Sequence, residues 1–116
     1  MITIEDIIQE LTLTVYSGSG KLQNQVKGAY ASDLLSDVMG RAKEGDLWIT
    51  MQTHKNIIAV ASLKDLSAIL IVNSGQPEEE TIATAESEGV VLLGTSERSF
   101  ATCGKLYKMM EGNALV

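Results

Sequence analysis

Three short aliphatic runs, spaced about a helix apart, restrict this chain more than any other feature of its sequence. They are Leu47-Trp48-Ile49-Thr50-Met51, Ala68-Ile69-Leu70-Ile71-Val72 and Val90-Val91-Leu92-Leu93. A strand with one wet face alternates apolar and polar residues, whereas a strand covered on both faces is apolar throughout. The second and third runs are of the covered kind. Helical signals fill the intervals. Thr53 or His54 starts one helix, which carries Ile57, Ile58 and Ala61 inward. Pro77, at a first helical position and followed by Glu78-Glu79-Glu80, opens another, which ends at Gly89. After the last run, Thr95 or Ser96 caps a third helix with Phe100, Cys103, Leu106, Tyr107 and Met110 as its apolar stripe. Parallel strands cannot be joined by tight turns and need such crossovers. From Asp46 onward the order therefore predicts three parallel strands sandwiched by helices. The expected fold class is α/β, a layered α/β/α domain with a mainly parallel sheet.

The first 40 residues are less regular. Thr3 can cap a helix with Glu5 and Asp6 in its first turn and Ile4, Ile7, Ile8 and Leu11 on one face. Leu13-Thr14-Val15-Tyr16 has strand composition, Ser17-Gly18-Ser19-Gly20 looks like a surface loop between strands, and Gln25 to Ala31 is a weaker strand interrupted by Gly28. Ser32 then begins a short helix with Asp33 in its first turn, Leu34, Leu35, Val38 and Met39 at helical spacing, and Gly40 as its stop. These strands are expected at one edge of the sheet. No linker or low-complexity segment interrupts the 116 residues, so 1–116 is expected to be one domain.

Charge excludes several partners. Fifteen acids against nine bases give a net charge of -6, and no stretch gathers Lys and Arg. Phosphate backbones and anionic membranes are held by clustered cations, so neither nucleic acid nor membrane is expected as a partner. Cys103 is the only cysteine and can form no intramolecular disulfide. The opening residues lack a signal-peptide pattern, and no apolar run nears the ~20 residues of a membrane span. A cytoplasmic location is expected.

Candidate chemistry is sparse. Gly18-Ser19-Gly20-Lys21 invites comparison with a phosphate-binding P-loop, but Val15 stands in place of its first glycine and Leu22 in place of its Ser or Thr. Cys103 falls on an apolar stripe, where a thiol is inert packing. Ser32, Asp33, Ser36 and Asp37 make a small polar cluster without the donor set of a metal site. Glu78-Glu79-Glu80 suits a helix start, where negative charge is stabilised. Open α/β sheets bind ligands beyond the carboxyl ends of their strands. That rule singles out Gln52, Thr53 and His54, then Asn73 with Ser74, and Thr95; Ser32 and Asp33 are candidates from the polar cluster, whose acids share a helix face and could contact a hydroxyl group or else only cap and solvate the helix. Set against it, Thr53 could serve only as a helix cap and His54 as an exposed first-turn residue. The expected ligand-binding set is Ser32, Asp33, Gln52, Thr53, His54, Asn73 and Thr95, with no catalytic residue, metal or cofactor.

Several of these segments together resemble the DRTGG domain family. They are Gly45-Asp46-Leu47-Trp48-Ile49-Thr50, Ala68-Ile69-Leu70-Ile71-Val72-Asn73, Pro77-Glu78-Glu79-Glu80 and Glu88-Gly89-Val90. Val26-Lys27-Gly28-Ala29-Tyr30-Ala31-Ser32-Asp33-Leu34-Leu35 resembles the family's earlier strand and helix. The likeness covers nearly the whole chain. The name-giving Asp-Arg-Thr-Gly-Gly string is missing; Gln25-Val26-Lys27-Gly28-Ala29 lies about where it belongs. The resemblance implies a fold similar to the N-terminal domain of HPr kinase/phosphorylase, without the kinase site. It implies a regulatory role with dimer contacts, and adenine-nucleotide sensing as in pyrophosphatases that carry the domain. It also implies, for stand-alone copies, a redox partner enzyme linked to iron-only hydrogenase.

Three functional expectations follow. The first is a non-catalytic regulatory module, a homodimer that senses a small molecule such as an adenine nucleotide or docks on a metabolic or redox enzyme. The second is a protein-interaction subunit without ligand; for the dimer, Met109, Met110, Leu115 and Val116 offer either an adaptable apolar contact at the C-terminus or a frayed tail. The third is an enzyme using His54 with Ser32, Asp33 or Asp37.

Overall fold

The computed structural model describes residues 1–111. Strands β1 (Thr14–Ser17), β2 (Gly28–Ala31), β3 (Asp46–Thr50), β4 (Ala68–Ile71) and β5 (Leu92–Gly94) alternate with helices α1 (Ile4–Leu11), α2 (Leu35–Arg41), α3 (Asn56–Lys64), α4 (Glu79–Glu88) and α5 (Ser99–Met110). Among the described residues the strands form one sheet in the order β1-β5-β4-β3-β2. The ladders β2/β3, β3/β4 and β4/β5 are parallel, and β1 runs antiparallel to β5. The fold is α/β with a mostly parallel sheet, as the aliphatic runs predict.

Residues alternate across the sheet, so each central strand feeds two cores. Leu47, Ile49, Leu70 and Leu93 pack on one face with Ile4, Ile7, Leu106 and Met110 from α1 and α5. Trp48, Ile69, Ile71 and Leu92 pack on the other with Val38, Ile57, Ile58, Ala61 and Ala85 from α2, α3 and α4. The sheet is thus sandwiched, and β4 is buried at every position.

The early strands do not share an edge as expected. β2 extends the parallel sheet beside β3, while β1 closes the opposite edge beside β5. The chain must therefore cross from one edge to the other, and it does so past the amino ends of the parallel strands. Ser17–Gly20 is correspondingly no free loop. Ser17 is buried and its hydroxyl donates to Val90 O at 2.8 Å; the Gly18 N–H donates to Glu86 Oε1, and Lys21 Nζ to Gly89 O. Gly18 sits at φ +84°, where a Cβ would lie 2.8 Å from Val91 Cα. A glycine is required there by both backbone and neighbour. Residues 22–26 then pair with the N-terminus through Glu5 N to Leu22 O, Ile4 N to Asn24 O and Val26 N to Ile2 O.

Thr3 caps α1, as read from sequence, and Asp6 completes a full capping box with it. The other helix starts differ from expectation. Ser32 does not begin α2: its backbone is tied to β3 by Ser32 N to Ile49 O and by Trp48 Nε1 to Ser32 O, so the helix waits until Leu35. Gly40 lies inside α2 rather than ending it; its exposed side meets no neighbour within 4 Å. Thr53 and His54 precede α3, which starts at Asn56. Pro77 precedes α4 by two residues. Thr95 and Ser96 form a turn before α5, with Glu97 N donating to Thr95 Oγ1.

The stripe expected on α5 also divides. Leu106 and Met110 are buried, joined by Thr102, while Phe100 is 92% and Tyr107 56% exposed. Met110 is a core residue and Met109 packs partly against it. Leu115 and Val116 lie outside the described residues.

Candidate functional site

Because β2, β3, β4 and β5 are parallel, their carboxyl ends gather on one side of the molecule. The loops that leave them carry every residue of the expected ligand-binding set. Two different environments result.

At the ends of β2 and β3, polar groups satisfy one another. Asp33 Oδ1 accepts from Thr50 Oγ1 at 2.8 Å and from the Met51 N–H at 2.7 Å. Gln52 Nε2 donates to Asp33 O at 3.0 Å, and its N–H donates to Thr50 Oγ1. Ser32 Oγ accepts from the Leu34 N–H. Nearby, Tyr30 donates its hydroxyl to Asp37 Oδ2 at 2.8 Å, and Arg41 Nε lies 3.3 Å from Asp37 Oδ1. The Tyr30 hydrogen bond holds the Asp37 carboxyl below its ordinary value, and the same bond raises Tyr30. Ser32, Asp33 and Gln52 therefore build the loop and stitch it to β3.

Thr53 and His54 are likewise placed by structure. Thr53 O accepts from Thr81 Oγ1 at 2.8 Å and from the Glu78 N–H, which docks the start of α4. His54 is exposed, and its carbonyl accepts from Ile57 N. Among the described residues no hydrogen bond joins its ring to Ser32, Asp33 or Asp37. Beside it, Lys55 and Glu80 form an ion pair of 2.6 Å, which raises the lysine and lowers the carboxyl.

At the ends of β4 and β5, polar groups are left open. Asn73 and Ser74 follow β4 in consecutive left-handed conformations, φ 60° and 59°. They are held there by Asn73 N to Glu97 O at 2.7 Å and Ser74 N to Thr95 O at 3.0 Å. The two loops are thereby clamped together beside a cavity of about 240 Å³. Hydroxyls of Thr12, Thr14, Tyr16, Ser74, Thr95 and Ser96 line it, with the Gln76 amide and no charged side chain. The Tyr16 ring lies across Gly94, where a Cβ would come within 2.6 Å of it. Any larger residue at 94 would push Tyr16 out of the wall.

Thr95 alone among the expected ligand residues lines this cavity. Asn73 stands one residue from its rim, with Nδ2 4.0 Å from Met51 Sδ. Ser74, which the same rule singled out beside Asn73, lines it too, whereas Ser96, Gln76, Thr12, Thr14 and Tyr16 escape a rule that looks only past strand ends. Thr12, Thr14 and Tyr16 arrive because β1 is antiparallel and starts where β5 finishes. Only the pairing of β1 with β5 reveals that.

A larger cavity, about 340 Å³, lies at the opposite, amino end beneath the crossing chain. Its bases are engaged: Lys21 on Gly89 O, and Lys27 4.0 Å from Glu44. The last turns of α3 and α4 reach it and bring the negative ends of their dipoles. One buried hydroxyl there, Ser67 Oγ, has no hydrogen-bond partner among the described residues. Among those residues no group of three His, Cys, Asp or Glu side chains is placed to hold a metal ion.

The DRTGG domain model matches residues 6–109, and the chain belongs to that family. No curated protein matches it in sequence. Among solved structures it is similar to the CBS and DRTGG domains of the regulatory region of Clostridium perfringens pyrophosphatase, crystallised with its activator diadenosine tetraphosphate. The TM-score is 0.69 at 14% identity, over 90% of this chain and 45% of that one. This chain thus spans just under half of the solved regulatory region, and the likeness shows a shared fold.

Proposed function

We propose that this chain is a non-catalytic regulatory module that senses an adenine nucleotide and relays the bound state to a partner enzyme. The observation that carries the reading is the cavity at the ends of β4 and β5, where uncharged hydrogen-bonding groups surround a space held open by the Asn73–Glu97 and Ser74–Thr95 clamps. Family membership and the nucleotide in the similar regulatory region supply the ligand class. The proposal includes one domain over 1–116, a homodimer, and action in the cytoplasm on a metabolic or hydrogenase-linked redox enzyme. The lone Cys103 and the acidic surface suit that compartment, and no described helix is long and apolar enough to cross a membrane.

Thermal unfolding with AMP, ATP and diadenosine tetraphosphate tests it. Ligand at a hundredfold excess over its dissociation constant adds about 2.7 kcal/mol, which lifts the melting temperature of a chain this size by roughly 10 °C. An unchanged melting temperature at millimolar ligand refutes the reading.

Phe100 and Tyr107 favour a second reading, a protein-interaction subunit without ligand. They stand exposed on α5, which packs beside β2, an edge strand of the sheet among the described residues. Under it no nucleotide shifts the melting curve, while Phe100→Ser with Tyr107→Ser abolishes self-association in sedimentation. An enzyme using His54 has the weakest support, because Asp33 and Asp37 already serve Thr50, Met51, Tyr30 and Arg41.

A further inference from the structure

Resting on that ligand-sensing reading, we infer that the cavity between β4, β5 and β1 receives the uncharged nucleoside part of its ligand, with the phosphates directed outward to solvent. Three observations converge on this.

The lining carries no Lys, Arg or His, so nothing in it neutralises a phosphate. Three of the backbone donors beside it are already used: Asn73 N on Glu97 O, Ser74 N on Thr95 O and Gly75 N on Val72 O. An anion therefore finds no cation in the lining to neutralise it.

What remains open is suited to a sugar and a base edge. Among the described residues the hydroxyls of Thr12, Thr14, Tyr16, Ser74 and Ser96 and the Gln76 amide make no side-chain hydrogen bond; Thr95 makes one, to the Glu97 N–H. Hydroxyls and amides donate and accept, which matches a ribose diol and the mixed donors and acceptors of a heterocycle. Tyr16 adds aromatic surface against which a base can stack.

Size points the same way. About 240 Å³ is below the ~300–1,000 Å³ of pockets that enclose drug-sized ligands, so the cavity admits part of a nucleotide.

Calorimetric titration of the full chain with adenosine, AMP and ATP, at low and high salt, tests the inference. Adenosine is expected to bind within about threefold of AMP and ATP, with little salt dependence, because phosphate contributes little. Thr14→Val and Ser96→Ala change exposed residues and leave the fold intact, yet each is expected to weaken all three ligands about five- to tenfold, the worth of one neutral hydrogen bond. If AMP and ATP bind but adenosine does not, or if both variants bind as the parent does, the inference fails while the ligand-sensing reading stands. If none of the three binds, both fall.

Discussion

Replacing Asp33 by alanine removes the acceptor that joins the segment before α2 to the end of β3. Its Oδ1 takes two hydrogen bonds, from Thr50 Oγ1 at 2.8 Å and from the Met51 N–H at 2.7 Å. Bonds to a charged acceptor are worth roughly 1.5–3 kcal/mol each. Thr50 is 2% exposed, so its hydroxyl proton cannot readily turn to water. Met51 is exposed, and water replaces much of its bond. The expected loss for Asp33→Ala is therefore about 2–3 kcal/mol rather than the full sum. Asp33→Asn keeps an oxygen in place and forfeits only the charge, about 1 kcal/mol. Urea unfolding measures both: midpoints should fall in that order at unchanged slope. A loss below about 0.5 kcal/mol for alanine, or equal losses for the two variants, refutes the stitching role. If Asp33→Asn instead leaves stability intact but weakens nucleotide binding more than tenfold, Asp33 is a ligand contact after all.

Gly18→Ala is expected to lose more than about 2 kcal/mol, since its positive φ and the 2.8 Å approach to Val91 Cα act together, whereas Gly20→Ala, which meets nothing within 4 Å, should unfold like the parent in the same urea series. Leu70→Ala on the fully buried face of β4 should cost about 2–5 kcal/mol by chemical denaturation, with the smaller value if the α1 and α5 face collapses into the gap. Asp37 supplies a pH test. A carboxyl held below its ordinary 3.8 when folded stabilises the fold above that value and loses its contribution as pH falls through the lowered one. From about pH 5 to about pH 2 the parent should therefore lose more stability than Tyr30→Phe, which lacks the hydroxyl donor; parallel acid curves would show the bond to be without effect.

How far residues alone disclose this molecule depends on the range of the forces involved. β4 and β5 were legible because burial on both faces demands unbroken aliphatic runs, and the crossover helices follow from parallel pairing. α1 was legible down to its cap, since Thr3 and Asp6 satisfy each other locally. The starts of α2, α3 and α5 were not. Their Ser and Thr residues look like caps in isolation, but Ser32, Thr53 and Thr95 bond to β3, α4 and a local turn instead. Likewise Gly18 resembles a loop tip until Val91 is placed against it. The site shows the same division. The carboxyl-end rule led to the side of the sheet that carries the proposed cavity and to Ser74 and Thr95, yet it also weighted Gln52, whose bonds, like those of Ser32 and Asp33, turn inward. Thr12, Thr14 and Tyr16 lie about 80 residues upstream of Thr95, and nothing local ties them to it.

Mapping backbone amide shifts during a titration with AMP tests most directly where this module recognises its ligand. The account predicts that perturbations gather at Thr12, Thr14, Gly75, Gln76, Thr95 and Ser96, around the tips of β4 and β5. Perturbations that gather instead at Lys21, Lys27, Gly45, Ser67 and Gly89 would place recognition at the amino end of the sheet and contradict it.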